Sequence, residues 1–339
     1  MEIKINSLPK SQLEILLTLN QTDLASFKNQ ALQELGANLT LKGYRQGKAP
    51  LDLIAQQVSA TELTEKMALL ALDKFYPQLI KEHHLEPVGQ PLVTLTKLIP
   101  ESLVEFKLTL SILPKWPLKN YQIIAQNKQK ERKKATVTEA EIQESLTWLQ
   151  KTKKSPTLDD QFAQSLGNFK NLEELKQNIK EGLLLEKQDK ENERWRLAVL
   201  EEIINQNPFE VPEILIESEK EKMLDELKIR LSEIQLSFED YLKQIKKTEA
   251  DLLQEFTPLA EKRVKMALVL KEIAQKENIT VSQEEIEAKV NEILSQFPDP
   301  ELKNQINLEE LKTFAEGLIK NEKVFELLEK QPKKEQKSK

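Results

Sequence analysis

Two hydrophobic periodicities divide the chain. Residues 11–19 alternate in part, and residues 92–98 and 102–112 alternate again, as in Val104-Glu105-Phe106-Lys107-Leu108-Thr109-Leu110. A period of two puts the apolar side chains on one face of a strand. Between these stretches the period lengthens. Apolar positions recur at helical spacing from Asp23 to about Leu39, and Leu63, Met67, Leu70 and Phe75 lie on or near one face of a longer helix over 60–82. Strands before and after a helical pair predict a small α+β domain with an antiparallel sheet, ending near Pro114 to Pro117.

The rest of the chain reads as helical, and its helix starts are legible. Thr138 with Glu141, Asn171 with Glu174, Thr248 with Asp251, Ser282 with Glu285 and Asn307 with Glu310 share the same spacing of cap and acid. Each cap oxygen can accept from a free backbone N–H, and each acid answers the helix dipole. Pro212 fits a first helical position. Asn207-Pro208 and Pro298-Asp299-Pro300 mark stops. Helices are predicted over about 138–152, 172–206, 212–236, 238–247, 249–277, 283–296 and 308–330. Residues 116–137 read as a linker carrying the basic run Lys128-Gln129-Lys130-Glu131-Arg132-Lys133-Lys134, either a solvated connector or an RNA contact. The expected layout is thus 1–115, the linker, a helical domain over 138–331 and a polar, Lys-rich tail, 332–339, expected to be disordered. The apolar stripes of the helical domain either close into a compact bundle or face a concavity as a binding surface. Both readings stay open at this point.

Composition sharpens the picture. Charged residues make up 31% of the 339 positions, with seven glycines and few aromatics, a balance that favours long solvated helices over a compact sheet protein. The net charge of −6 argues against a dedicated nucleic-acid binder, while a local basic tip stays compatible with RNA. There is no cysteine, so disulfides and thiolate metal sites are excluded. The start, Met1-Glu2-Ile3-Lys4-Ile5, lacks the continuous apolar core of a signal peptide, and no apolar run is long enough to cross a bilayer. A cytoplasmic location is expected.

Two of the seven glycines bracket one short run, Gly43-Tyr44-Arg45-Gln46-Gly47-Lys48-Ala49-Pro50. Glycines there predict a sharp exposed turn, and Pro50 is placed to start the next helix. Arg45 and Lys48 then project from a loop tip, where binding residues concentrate. The plain alternative is a helix–helix connection with solvated charges. A phosphate loop does not fit: three residues separate the glycines instead of four, and Ala49 follows the Lys.

This run resembles the ribosome-docking signature of bacterial trigger factor, Gly-Phe-Arg-x-Gly-Lys-x-Pro, and sits where that family has it, between two helices of an N-terminal α+β domain. Four further segments are similar in order: Leu158-Asp159-Asp160-Gln161-Phe162-Ala163 with Asn171-Leu172-Glu173-Glu174-Leu175, then Asn207-Pro208-Phe209-Glu210-Val211-Pro212, then Ser237-Phe238-Glu239-Asp240-Tyr241-Leu242, then Glu261-Lys262-Arg263-Val264-Lys265. The resemblance implies an elongated, mostly α-helical C-terminal chaperone domain with arm-like helices. It implies that Tyr44, Arg45 and Gln46 touch the large ribosomal subunit beside the exit tunnel, at a ribosomal protein and neighbouring rRNA. Gly43, Gly47 and Pro50 would shape that tip, and Lys48 would add charge. Two departures stand out. Tyr44 replaces the usual Phe, and Gln46 occupies a position that is often Lys, which removes a contact worth roughly 0–1 kcal/mol. The FKBP-like prolyl isomerase domain that the family inserts is missing, because Lys151-Thr152-Lys153-Lys154 runs directly into Ser155-Pro156-Thr157-Leu158.

Catalytic chemistry is sparse. The only histidines, His83 and His84, are adjacent and cannot share a helix face at i, i+4, so they read as a solvated pair. No histidine is placed to activate a nucleophile, and no ATP motif is present. The expected function is an ATP-independent, ribosome-associated chaperone for nascent chains, without cofactor or metal and with homodimerisation open. The other reading, a peptidyl-prolyl isomerase as in full-length relatives, needs the missing domain. Met223, Phe256, Met266 and Phe297 are candidate client contacts, since flexible Met and large aromatics suit varied partners. The plain alternative for each, and the one that residue type favours, is an ordinary core position.

Overall fold

The computed structural model describes residues 1–41, 44–100, 102–154, 157–296 and 306–330. By packing, the chain divides into two compact units: Met1–Trp116 with Phe209–Lys265, and Pro117–Pro208 with Met266 to the C-terminal helix.

The first unit is built on an antiparallel sheet of β1 (Glu2–Leu8), β2 (Gln12–Asn20), β3 (Pro87–Ile99) and β4 (Leu103–Ile112), in the order β1-β2-β4-β3. The alternation read in the sequence sets the register of the central pair. Leu13 faces Leu110, Ile15 faces Leu108, Leu17 faces Phe106 and Leu19 faces Val104, and all eight are buried on one face. A one-residue slip would turn that whole set to solvent, so the register is firmly specified. Helix α4 (Ala60–Glu82) closes this face. Ala68 and Ala71 are fully buried in the same core, with Leu72 and Leu79 beside them. Each fully buried leucine contributes about 1.5–3 kcal/mol.

The single helix expected from Asp23 to Leu39 is two: α1 (Gln21–Ala25) and α2 (Lys28–Gly36). Phe27 falls between them with its ring buried, edge-on to Phe75 at 6.0 Å between centroids. An earlier cap starts the pair, since Asn20 and Asp23 form a capping box. Helix α3 (Leu51–Gln57) follows the glycine-bracketed loop.

The same unit contains α9 (Glu213–Glu233), α10 (Phe238–Ile245) and the first part of α11 (Glu249–Lys276). Arg263 of α11 bonds Glu219 at 3.3 Å and Glu226 at 3.2 Å on α9. By packing, residues 209–265 group with the sheet domain and not with the other helices that follow residue 138.

The second unit holds α5 (Tyr121–Lys130), α6 (Glu139–Lys153), α7 (Asp160–Leu166), α8 (Leu172–Gln206), the later part of α11, α12 (Gln283–Ser295) and α13 (Leu308–Glu329). The segment expected as linker is helical over α5, because Tyr121, Ile124 and Ala125 bury an apolar face. Burial and the Glu277 carboxylate, which accepts from the Tyr121 hydroxyl, push that hydroxyl up to about 12. Asn207 ends α8 before Pro208. It accepts from the Lys119 N–H at 2.9 Å and donates to the carbonyls of Lys119 and Ile203. Ile142, Leu146, Phe162, Ala163 and Leu175 form the core joining α6, α7 and α8. Ile286, Val290 and Ala315 pack α12 on α13. The expected stop at Pro298–Pro300 and the tail over 332–339 lie outside the described residues.

Candidate functional site

The connection from α2 to α3 carries the glycine-bracketed run. Leu39, Leu41, Ala49 and Leu51 are half-buried against Ala31, Leu32, Ile54 and Leu63, so both ends of the loop are anchored in the core. The Tyr44 N–H donates to the Leu41 carbonyl at 3.0 Å. The Lys48 N–H donates to the Arg45 carbonyl at 2.9 Å, closing a β-turn over Arg45, Gln46, Gly47 and Lys48. Gly47 is the third residue of that turn at φ +73, the sign a type II turn requires there. A Cβ at Gly47 would also stand 3.2 Å from the Ala37 carbonyl oxygen. Pro50 caps α3 in an extended conformation, one position earlier than a first helical residue.

With its ends fixed, the tip projects. Tyr44 is 43% exposed, and Arg45, Gln46, Gly47 and Lys48 are all exposed. Among the described residues neither Arg45 nor Lys48 is paired with an acid, so both charges face solvent. The Gln46 amide reaches the Asn38 carbonyl only at 3.5 Å. Gly43 lies outside the described residues. The structure therefore leaves an aromatic ring, a guanidinium and an ammonium exposed within one five-residue stretch.

The four candidate client contacts separate. Met223 is 6% exposed in α9, with its side chain used in packing. Phe256 and Met266 are half-buried on α11, and Phe297 lies outside the described residues. Several large apolar side chains stand open elsewhere in the first unit. On α9, Ile229 is 61% exposed and Ile234 at its end 68% exposed, while Leu259 of α11 is 48% exposed. Helix α10 sets Phe238, Tyr241, Leu242 and Ile245 on one stripe and buries none of them fully. Their spacing of three and four residues was readable, but a stripe that is only half covered reads the same as a buried one.

The basic run is partly engaged. Lys128 pairs with Glu131 at 3.2 Å, Arg132 bonds Asn192, and the Lys133 N–H donates to Glu191 at 2.8 Å. Arg194 and that N–H hold the Glu191 carboxyl down at about 2. His83 caps α4 and His84 follows it in a left-handed conformation; both are exposed. Among the described residues no helix is long and apolar enough to cross a membrane, and no group of three potential metal ligands occurs.

Comparison with known proteins bears on the whole chain. Residues 1–149 match the family described as bacterial trigger factor protein, and residues 171–330 match the bacterial trigger factor C-terminus. A Trigger factor of Moorella thermoacetica is 24% identical over 411 aligned positions, covering 92% of this chain and 91% of the relative. A Trigger factor of a Nostoc species is 35% identical over 193 residues, 57% of this chain and 38% of the relative. One of Clostridium botulinum is 33% identical over 180 residues, 52% of this chain and 42% of the relative. The chain thus matches less than half the length of the latter two. A solved structure from work on promiscuous substrate recognition in the folding and assembly activities of the Trigger Factor chaperone shares the fold, with a TM-score of 0.60 at 15% identity, over 97% of this chain and 99% of that one. Two matched segments of one family, in order and together spanning most of the sequence, lead to one conclusion: this chain belongs to the bacterial trigger factor family.

Proposed function

We propose that this protein is an ATP-independent chaperone that docks through the tip of residues 44–48 on the large ribosomal subunit beside the exit tunnel and shields emerging polypeptides. Family membership supports the chaperone role in protein folding. The observation that carries the docking reading is the loop itself, fixed at both ends and presenting Tyr44, Arg45 and Lys48 exposed at its turn. An aromatic ring suits a ribosomal protein surface, and two cations suit rRNA phosphates. Binding should therefore weaken as salt rises.

Client binding needs apolar surface that folding has not used. Ile229, Ile234 and Leu259, with the half-exposed stripe of α10, supply it, and half-buried Phe256 on α11 belongs to the same unit. Burial there at about 25 cal/mol per Å² gives affinity without sequence specificity. Many weak contacts allow quick release, which lets a client fold.

Prolyl isomerase catalysis is not part of this proposal. Helix α6 ends at Lys153 and α7 begins at Asp160, so the connection where the family carries its FKBP-like domain is short. A peptide isomerisation assay checks this; acceleration comparable to that of full-length relatives would contradict it. Docking is tested with a photo-crosslinking side chain at Gln46 and purified ribosomes. A crosslink to a large-subunit protein at the tunnel exit is expected. No crosslink, or the same products from a probe at exposed His84, would overturn it.

A further inference from the structure

The turn from β1 to β2 adopts an unfavourable conformation. Lys10 and Ser11 are both left-handed, at φ 57 and φ 54, in a turn that contains no Gly, Asn or Asp. L side chains crowd the backbone there, so such a pair persists only where its surroundings hold it. What holds it comes from a segment about two hundred positions away in the same unit. The Lys10 N–H donates to the Glu210 carboxylate at 2.7 Å, and its Nζ donates to Glu213 at 2.8 Å. The Ser11 hydroxyl donates to the Glu210 carbonyl at 3.2 Å. The Ser11 carbonyl accepts from Ile112 at 2.9 Å, which ties the turn to β4.

Beside this polar clasp stands an apolar footing. The Phe209 ring stacks on Trp116 at 3.8 Å with an interplanar angle of 10°. Ile214 lies against Gly89, where a Cβ would collide with it and where φ is +73. The start of α9 is thus attached to the sheet domain in two chemically different ways. Salt treats them oppositely. The Lys10 and Glu213 side chains are 60% and 58% exposed, so their attraction is screened, whereas ring stacking and methyl packing do not weaken with ionic strength.

We infer that the β1–β2 turn and residues 210–213 form a salt-releasable clasp, which fixes the direction of α9 from the sheet domain and opens around the Trp116–Phe209 stack. The Lys10 amine is held above its ordinary value by Glu213, and the Glu213 carboxyl below its own by Lys10, in agreement with one shared pair. Strain in the turn makes the clasp open readily once the charges are screened. The device is independent of ribosome docking, since it uses no residue of the 44–48 tip.

Hydrogen–deuterium exchange on the full chain tests it. Peptides covering 7–13 and 209–217 are followed at about 0.02 M and about 0.5 M salt, with mid-α8 as the internal reference. Exchange in both peptides should rise roughly two- to fivefold at high salt, the range expected from one exposed ion pair. Glu213→Gln and Lys10→Met should exchange at the high-salt rate already at low salt, with no further rise. Equal exchange of the parent at both salts would overturn the clasp, as would a salt response that survives in both variants. The parent's own response decides even if a variant misfolds.

Discussion

At the residue scale, Gly47 and Arg45 divide the work of the tip. Gly47 supplies a backbone angle, and Arg45 supplies an exposed charge. Gly47→Ala must hold a Cβ at φ +73 near the Ala37 carbonyl, which should lower stability by about 1–2 kcal/mol in thermal or denaturant unfolding. Arg45→Ala should leave stability unchanged, weaken ribosome binding by up to about fivefold and flatten its salt dependence. Tyr44→Phe should bind as the parent does, because the exposed ring is retained. Equal loss of stability in Arg45→Ala and Gly47→Ala would argue against this division. The loop was legible in the sequence because glycine, proline and unpaired cations each carry a local physical meaning. Met223 was not, since whether a methionine fills a core or faces a client depends on a neighbouring helix that its own segment does not specify. Ile229 and Ile234 escaped notice for the same reason.

At the scale of elements, caps made the helices legible. The Thr138–Glu141 and Ser282–Glu285 boxes form in full, and Thr248 and Asp251 exchange the same two bonds at 3.2 and 2.9 Å. Predicted and observed bounds of the later helices accordingly agree closely, with α8 matching at 172–206 and α6 shifted by one residue. Helix α5 was missed because its start is Asn120 in a left-handed conformation, with no side-chain cap to read. The break at Phe27 was missed because it arises from a tertiary demand, the need to bury that ring. Thr138→Ala should cost about 1 kcal/mol. The Glu141 carboxyl is held down at about 2 by Lys187 at 2.5 Å and by the Thr138 N–H and hydroxyl. Its folded value lies below its ordinary one near 4.5, so the stability it contributes is complete above pH 4.5 and is lost as pH falls toward 2. Glu191, also at about 2, adds to the same window. Acid unfolding of Glu141→Gln followed by circular dichroism should therefore show a shallower decline across that range. An unchanged decline would mean that the pair does not form in solution.

At the scale of the whole molecule, the two units are threaded through each other in sequence, because residues 209–265 return to the sheet domain. Sequence order predicted two consecutive domains, and only packing reveals the return. One consequence is that the exposed apolar residues Ile229 and Ile234 at α9 and Leu259 of α11 share a unit with the 44–48 tip. Ile229→Ser with Ile234→Ser should reduce suppression of client aggregation while leaving the melting temperature and ribosome binding unchanged. If aggregation suppression is unaffected, clients use another surface.

The central claim is docking through residues 44–48, and co-sedimentation with ribosomes at low salt tests it most directly. The parent should pellet with ribosomes and return to the supernatant as salt rises, while Tyr44→Ala/Arg45→Ala/Gln46→Ala should stay in the supernatant throughout. A parent that remains in the supernatant at low salt, or a triple variant that pellets equally well, would contradict the account.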